Sequence, residues 1–367
     1  MSARPNETAG TPRSGEPDRE RQTRTRDESF DAEEFLGSID KLTRDLKNAT
    51  VTLSEREVRF LVDAYYAMQR DRIRAAHQNR TLAAGNEPHE ILGWLTSQRT
   101  QLEKQIARAL DAYSDSVYAG QWARSIVGIG PIIAAGLVAH FDITKAPTAG
   151  HFWRIAGLDP TSIWLGKDKS EELLLNCLAE HGHGRSKIIP EPVFLLACQR
   201  VNINPINMRA RLTDEHGKID MSFAKVSAAF AKRPWNAGLK TLMWKLGESF
   251  VKVSNNPNDV YGKVYAQRKL LESQRNGDGL YAEQAAEALR RRRYGADTEA
   301  RKHYEAGHLP PARIHLRSQR YAVKLFVAHL HHVMYEIHFR SPPPKPYIIQ
   351  HGGHTHFIAP PNWPMQE

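Results

Sequence analysis

Ser125-Ile-Val-Gly-Ile-Gly-Pro-Ile-Ile-Ala-Ala-Gly-Leu-Val-Ala-His140, inside Trp122–Pro160, is the stretch on which the fold turns. It reads as an apolar helix end, a tight Gly-Ile-Gly turn and a second helix. Gly128 and Gly130 supply the positive φ that a turn between two helices asks for. Pro131 suits the first helical position, where its missing N–H costs nothing. Such a start leaves backbone N–H groups at the positive end of the helix dipole, a site for phosphate oxygens that reads no bases. These are the features of a helix-hairpin-helix. A buried αα-hairpin without a ligand is the plain alternative. A membrane span is excluded: the run offers about half of the ~20 uninterrupted apolar residues needed. It also carries a proline and ends in His140-Phe141-Asp142.

The chain has 367 residues, enough for two or three packed units. Its formal net charge of +10 favours an acidic partner, most simply nucleic acid. The two cysteines, Cys177 and Cys198, give no disulfide framework and point to a reducing cytoplasm. No signal-peptide pattern and no membrane-length run occurs, so no membrane partner is expected.

Residues 1–38 are almost devoid of apolar side chains and read as a disordered tail. Order begins near Leu42. Ser54-Glu-Arg-Glu57 is a capping box, stapled by Leu53 and Val58. Val58, Leu61, Val62, Tyr65 and Met68 then line one face of a helix to about Gln78, with a loop over Asn79–Pro88. In a second long helix, Leu102, Ile106, Leu110, Tyr113 and Val117 recur near heptad spacing. The pair is a helical hairpin, or a coiled coil joining two copies through residues 90–118. A pattern of about two repeats favours the hairpin.

Phe152-Trp-Arg-Ile-Ala-Gly-Leu-Asp-Pro160 comes next, and Trp235-Asn-Ala-Gly-Leu-Lys240 opens a later helix, with Tyr261 and Tyr265-Ala-Gln-Arg-Lys269 downstream. With the Gly-Ile-Gly turn before them, these two blocks, roughly 122–160 and 232–272, resemble the C-terminal domain of the DEDD insertion-sequence transposases. That class is associated with bridge RNAs. The resemblance implies DNA as partner, a guide RNA beside it, and a role in DNA transposition or recombination. It also implies a serine nucleophile shortly after Ala-Gly-Leu-x-Pro. Ser162 and Ser170 are the candidates, Ser162 first, although neither lies in the family's Ser-Gly setting. A serine attacks a phosphodiester only if its hydroxyl is activated and the developing charge is held. Mg²⁺ is the cofactor that cleavage would call for. A turn or N-cap serine is the bland reading of both. The RNase-H-like domain of those transposases is not seen in residues 1–118, and no DEDD carboxylate can be carried over.

Residues 161–230 look inserted between the two blocks, with helices over Glu171–Leu178 and Pro192–Arg200 and a turn at Thr213–Lys218. Cys177, His181, His183 and Cys198 lack the tight Cys-x-x-Cys pairs of structural zinc sites, and no metal is assigned. Leu239, Leu242, Met243, Leu246, Phe250 and Val253 form a helical stripe flanked by Lys240, Lys245 and Lys252. Arg290–Arg293 close another helix, where cations suit the dipole. In a helix over His315–His338, Leu316, Val323, Phe326, Val327, Leu330, Val333, Met334 and Ile337 should face the core. Arg313, Arg317, Arg320 and Lys324 stack along a neighbouring edge that His331 and His338 extend, as in a phosphate track. His329, His332 and Glu336 share another face at spacings that zinc ligands can take, and solvated side chains are the plainer reading. A Pro-rich run at 341–346 leads into a tail with His351, His354 and His356. No P-loop is present, so ATP hydrolysis is not supported.

The expected fold is mostly α: a disordered tail (1–38), a helical hairpin or coiled coil (39–120), a helix-hairpin-helix transposase-like domain (121–272, insertion 161–230), a C-terminal helical region with a basic stripe (273–340) and a Pro/His-rich tail (341–367). Gly128, Ile129, Gly130, Lys240, Arg313, Arg317, Arg320 and Lys324 are the candidate DNA contacts; Ser162 and Ser170 are the candidate nucleophiles. The reading is a DNA-binding, transposase-like protein performing serine-type phosphodiester transfer if active. The alternative is a non-enzymatic, sequence-independent nucleic-acid-binding or architectural protein.

Overall fold

The capping box forms reciprocally. Ser54 N–H donates to Glu57 Oε2 at 2.7 Å, and Glu57 N–H donates back to Ser54 Oγ at 3.4 Å. It opens α1 (Glu55–Ala84) in the computed structural model, which describes residues 48–84, 90–345 and 357–365. The expected 1–38 tail, the start near Leu42 and the histidines of the 351–356 run lie outside the described residues. Among the described residues there are fourteen α-helices, two 3₁₀ turns, two isolated β-bridges and no strand. The chain is mostly α.

Helix α1 runs past Gln78, so residues 79–84, read as loop from composition, are helical. Asn79 Nδ2 donates to Thr96 Oγ1 of α2 (Glu90–Ser116) at 3.2 Å, a tertiary tie that composition does not show. The two helices pack together and Arg72 Nε reaches Glu103 Oε2 at 2.7 Å. Their apolar residues Val58, Val62, Leu110 and Tyr113 join Ala135, Val138 and Ala139 in one cluster.

The main core is built by α3 (Tyr118–Arg124), α4 (Pro131–His140), α5 (Ala149–Ile155), α10 (Ala237–Lys252), α11 (Tyr261–Gly277) and α14 (Pro311–Phe339). The sequence stripe on α10 is its inner face: Leu239, Leu242, Met243, Leu246 and Phe250 are all buried. Trp122 stacks on Phe326 at 5.6 Å and Phe250 on Tyr261 at 4.9 Å. Between the two sequence blocks, α6 (Gly166–Glu180), α7 (Glu191–Arg200), α8 (Pro205–Ala210) and α9 (Phe223–Ala231) surround a separate core. Both cysteines are free and buried there. Helices α12 (Ala282–Arg291) and α13 (Glu299–Glu305) fold beside α14 around Tyr281, Tyr304 and Ile314.

Helix α14 departs from its expected faces. Val323, Phe326, Val327, Leu330 and Val333 are buried, but Leu316 is 43% exposed. His331, expected on the cationic edge, is buried and its Nε2 donates to the Ala146 carbonyl at 2.7 Å. His329, expected in solvent, is buried between Tyr261 and the returning segment 357–365. That segment covers a face which helical period alone leaves to water. Among the described residues no helix is long and apolar enough to cross a membrane.

Candidate nucleic-acid interface

Helix α5 ends in Ala156-Gly157-Leu158-Asp159-Pro160, and the chain must turn sharply there. Gly157 takes φ +66°, and a Cβ at this position would lie 2.9 Å from Lys240 Cδ and 3.0 Å from Trp235 Cγ. Glycine therefore serves twice, in the turn and in the close approach of the second sequence block. Asn236 N–H donates to the Ile155 carbonyl at 2.9 Å and ties the blocks together. Asn236 also caps α10, its side chain accepting from Leu239 N–H at 2.9 Å, which sets Lys240 in the first turn of that helix.

Around this junction three cations sit over three indoles. Lys240 Nζ lies 3.9 Å from the Trp235 ring centre, Lys324 Nζ 4.2 Å from Trp153, and the Arg233 guanidinium 4.5 Å from Trp164. Each arrangement has the geometry of a cation–π pair. Arg320 is exposed, and its charge reaches both Lys240 and Lys324. Burial lowers the Lys240 pKa, and repulsion from Arg320 and Arg233 lowers it further. Burial also lowers that of Lys324; the Asp159 carboxylate opposes the shift and Arg320 adds to it. Lysines whose protonation is disfavoured by neighbouring guanidinium groups are relieved by an anion.

Asp159 is the carboxylate in this setting. Its Oδ1 accepts from Thr161 N–H at 2.9 Å and Thr161 Oγ1 at 2.8 Å, while Oδ2 accepts from Ser162 Oγ at 3.3 Å and faces Arg154 Nε at 3.5 Å. Burial works against its charge, but these bonds and Arg154 outweigh it and hold the pKa below the usual carboxylate range. Ser162 is half-buried and stands beside an ionised acceptor within reach of Lys324's field. Ser170 is fully buried, donating to the Lys167 carbonyl at 2.7 Å and sharing a bond with Ser227 Oγ at 3.2 Å. Its hydroxyl has no open path to a phosphate.

Residues 121–175 match the transposase model of the IS116/IS110/IS902 family. The match contains the Gly-Ile-Gly turn, the Ala-Gly-Leu-Asp-Pro junction, Asp159 and Ser162, and it marks this stretch as a transposase-related domain. No curated protein and no solved structure matches the chain.

Within the transposase-related stretch the turn differs from expectation at one glycine. Gly128 has φ +95°, whereas Gly130 is extended at φ −89°, ψ 175° and serves as N-cap of α4. One left-handed residue reverses the chain, and Gly130 enters the helix through an extended conformation that any residue can adopt. Ser249 Oγ donates to the Gly128 carbonyl, and Val253 closes over that residue. Ile129 is buried and its N–H is used by the Ile126 carbonyl at 3.0 Å, so neither reaches outward.

The expected edge of α14 divides in two. Arg320 and Lys324 join Lys240 at the junction. Arg317 instead pairs with the buried Glu272 at 2.7 Å and lies over the Tyr281 ring, and Arg313 Nε donates to the Tyr304 hydroxyl at 3.3 Å. The acceptors for this half come from α11 and α13, so no carboxylate needed to be interleaved on α14 itself. Trp153, Asp159, Trp164, Arg233 and Trp235 were not singled out as site residues by sequence. The signal for two of them was present: Trp153 and Trp235 lie in the two quoted stretches, Phe152–Pro160 and Trp235–Lys240, that meet here.

Proposed function

We propose that the junction around Asp159 grips the phosphodiester backbone of DNA and presents Ser162 as the nucleophile of transposase-type strand transfer. The observation that carries this reading is the Ser162–Asp159 hydrogen bond inside a cluster of Lys240, Arg320 and Lys324. In the step, Ser162 Oγ bonds to phosphorus as the bond from phosphorus to one deoxyribose oxygen breaks. The hydroxyl proton passes to Asp159, and the departing oxygen takes a proton from solvent. The cations offset the charge that builds on the phosphoryl oxygens. The first turn of α4, whose N–H groups have no intrahelical partner, adds a backbone contact through the helix-hairpin-helix. A guide RNA and self-association through residues 90–118 belong to the same reading; sequencing nuclease-protected RNA that co-purifies tests the first, and sedimentation the second.

A second reading is favoured by the bonds of Thr161. Asp159 forms a complete Asx-turn with Thr161, so Ser162 is also accounted for as a turn residue in a protein that binds without cutting. Supercoiled DNA incubated with Mg²⁺ and the full chain separates the two. Nicking or strand transfer by the wild type that Ser162→Ala abolishes, with binding kept, supports the enzyme. Binding without nicking supports the architectural protein, and absence of binding removes both.

A further inference from the structure

We propose that this interface takes unpaired nucleotides, their bases stacking on Trp164 and Trp244 while Arg233, Lys240, Arg320 and Lys324 hold the phosphates. The inference rests on the nucleic-acid reading above and narrows its ligand to a single strand. Trp164 is 46% exposed and Trp244 is 53% exposed, whereas Trp122 of the core is fully buried. Large aromatic surfaces left to water beside a set of cations are the composition of single-strand sites.

Trp164 is fixed in place. Its indole N–H donates to the Ala231 carbonyl at 2.9 Å, and Arg233 covers part of the ring. A ring already held loses little freedom when a base settles on it. Trp244 stands on α10 one turn beyond Lys240, and residues four apart share a helix face. The base-binding rings therefore flank the phosphate-binding cations. The half-buried indoles Trp153 and Trp235 serve differently, as seats for Lys324 and Lys240.

A duplex does not use such rings, because each base face inside it is covered by its neighbours. An unpaired strand offers both faces of every base, and stacking on them is tolerant of sequence. The cations supply the charge complement, and the repulsion that Arg320 and Arg233 exert on Lys240 is relieved by the strand's phosphates.

The test measures anisotropy of labelled oligo(dT), oligo(U) and a blunt duplex of equal length with the full chain at one salt concentration. Single strands should bind roughly tenfold or more tightly than the duplex. Trp164→Ala and Trp244→Ala should each weaken single-strand binding by roughly 5- to 100-fold, Trp244→Ala should leave the duplex unchanged, and the Phe variants should keep most of the affinity. Circular dichroism confirms that each variant is folded. Tighter binding of oligo(dT) or of oligo(U) names DNA or RNA as the source, and either supports the proposal. Preference for the duplex, or single-strand binding untouched by Trp244→Ala, overturns it and leaves the backbone-gripping reading standing. Arg320→Ala with Lys324→Ala should weaken single strand and duplex alike; if the wild type binds neither, the nucleic-acid reading itself fails.

Discussion

The indole N–H of Trp153 donates to the backbone carbonyl of Lys324 at 2.9 Å, while the ammonium of the same lysine stands 4.2 Å from the centre of that ring. One residue pair thus joins α5 to α14 by a directional bond and by a charge held over a π-face. The pair places Lys324 where the Asp159 carboxylate acts on it. Trp153→Phe keeps a ring beneath the ammonium and removes the N–H donor. Chemical denaturation should show a loss of about 1 kcal/mol, the usual net value of one such bond. DNA affinity should fall in the same variant, because the bond no longer ties the Lys324 backbone to α5. Unchanged stability and affinity would mean that the bond does not position the lysine.

The split of the α14 edge gives opposite expectations for two neighbouring arginines. Arg320→Ala with Lys324→Ala removes two proposed phosphate contacts, and the slope of log K against log salt should flatten by roughly two units. Arg317→Ala should leave that slope alone and destabilise the protein, because it takes a partner from the buried Glu272 carboxylate. The cost should be about 1–2 kcal/mol, below the ~3–5 for a lone buried pair. Arg268 and the Tyr281 hydroxyl still reach Glu272. A flattened slope in a stable Arg317→Ala variant would return Arg317 to the nucleic-acid surface.

These two arginines also show where sequence reading stops. The helical class, the Ser54–Glu57 cap and the buried stripe of α10 all follow from local spacing, so they were legible. The identity of whatever covers a helix face is not local. Arg317 finds Glu272 on α11, His331 finds Ala146, and His329 finds Ile358 from the returning C-terminal segment. Spacing along α14 contains none of these partners. The junction is a similar case. Both of its sequence blocks could be quoted, yet their meeting at Gly157 depends on the main core placing α10 against the end of α5.

The two turn glycines should respond differently to substitution. A Cβ on Gly128 would lie 3.0 Å from Val253 Cγ2 and would sit on a residue at φ +95°. Gly128→Val should therefore destabilise by about 2 kcal/mol or more, since β-branched residues resist that backbone region. Gly130 is extended and a Cβ there meets nothing within 4 Å. Gly130→Ala should stay within about 0.5 kcal/mol of wild type. Thermal melts rank the two, and a folded Gly130→Ala that loses DNA affinity would show that backbone approach, not turn geometry, requires glycine there.

Acid should weaken this protein through His329. Its Nε2 faces the Ile358 carbonyl at 3.0 Å and therefore carries the proton, which leaves Nδ1 to accept from the Tyr261 hydroxyl at 2.7 Å. The neutral ring satisfies both neighbours, and a second proton on Nδ1 would have to displace the tyrosine's. Burial is the main cause that pushes the pKa from 6.5 down to about 4; the bond to Ile358 opposes this and His332 adds to it. In the unfolded chain the ring titrates at its ordinary value. Between pH 6.5 and about 4 the unfolded state thus binds a proton that the folded state refuses. Stability from this group is present above 6.5 and is lost as pH falls through the window, by up to about 1.4 kcal/mol per pH unit. His331 and His140 are shifted in the same direction, chiefly by burial, and steepen the fall. Urea midpoints measured across the window should decline with falling pH in the wild type. In His329→Gln, which cannot take up the proton and keeps an amide donor for Ile358, the decline should be shallower by close to one proton. Parallel curves for the two proteins would show that His329 is not the group being titrated.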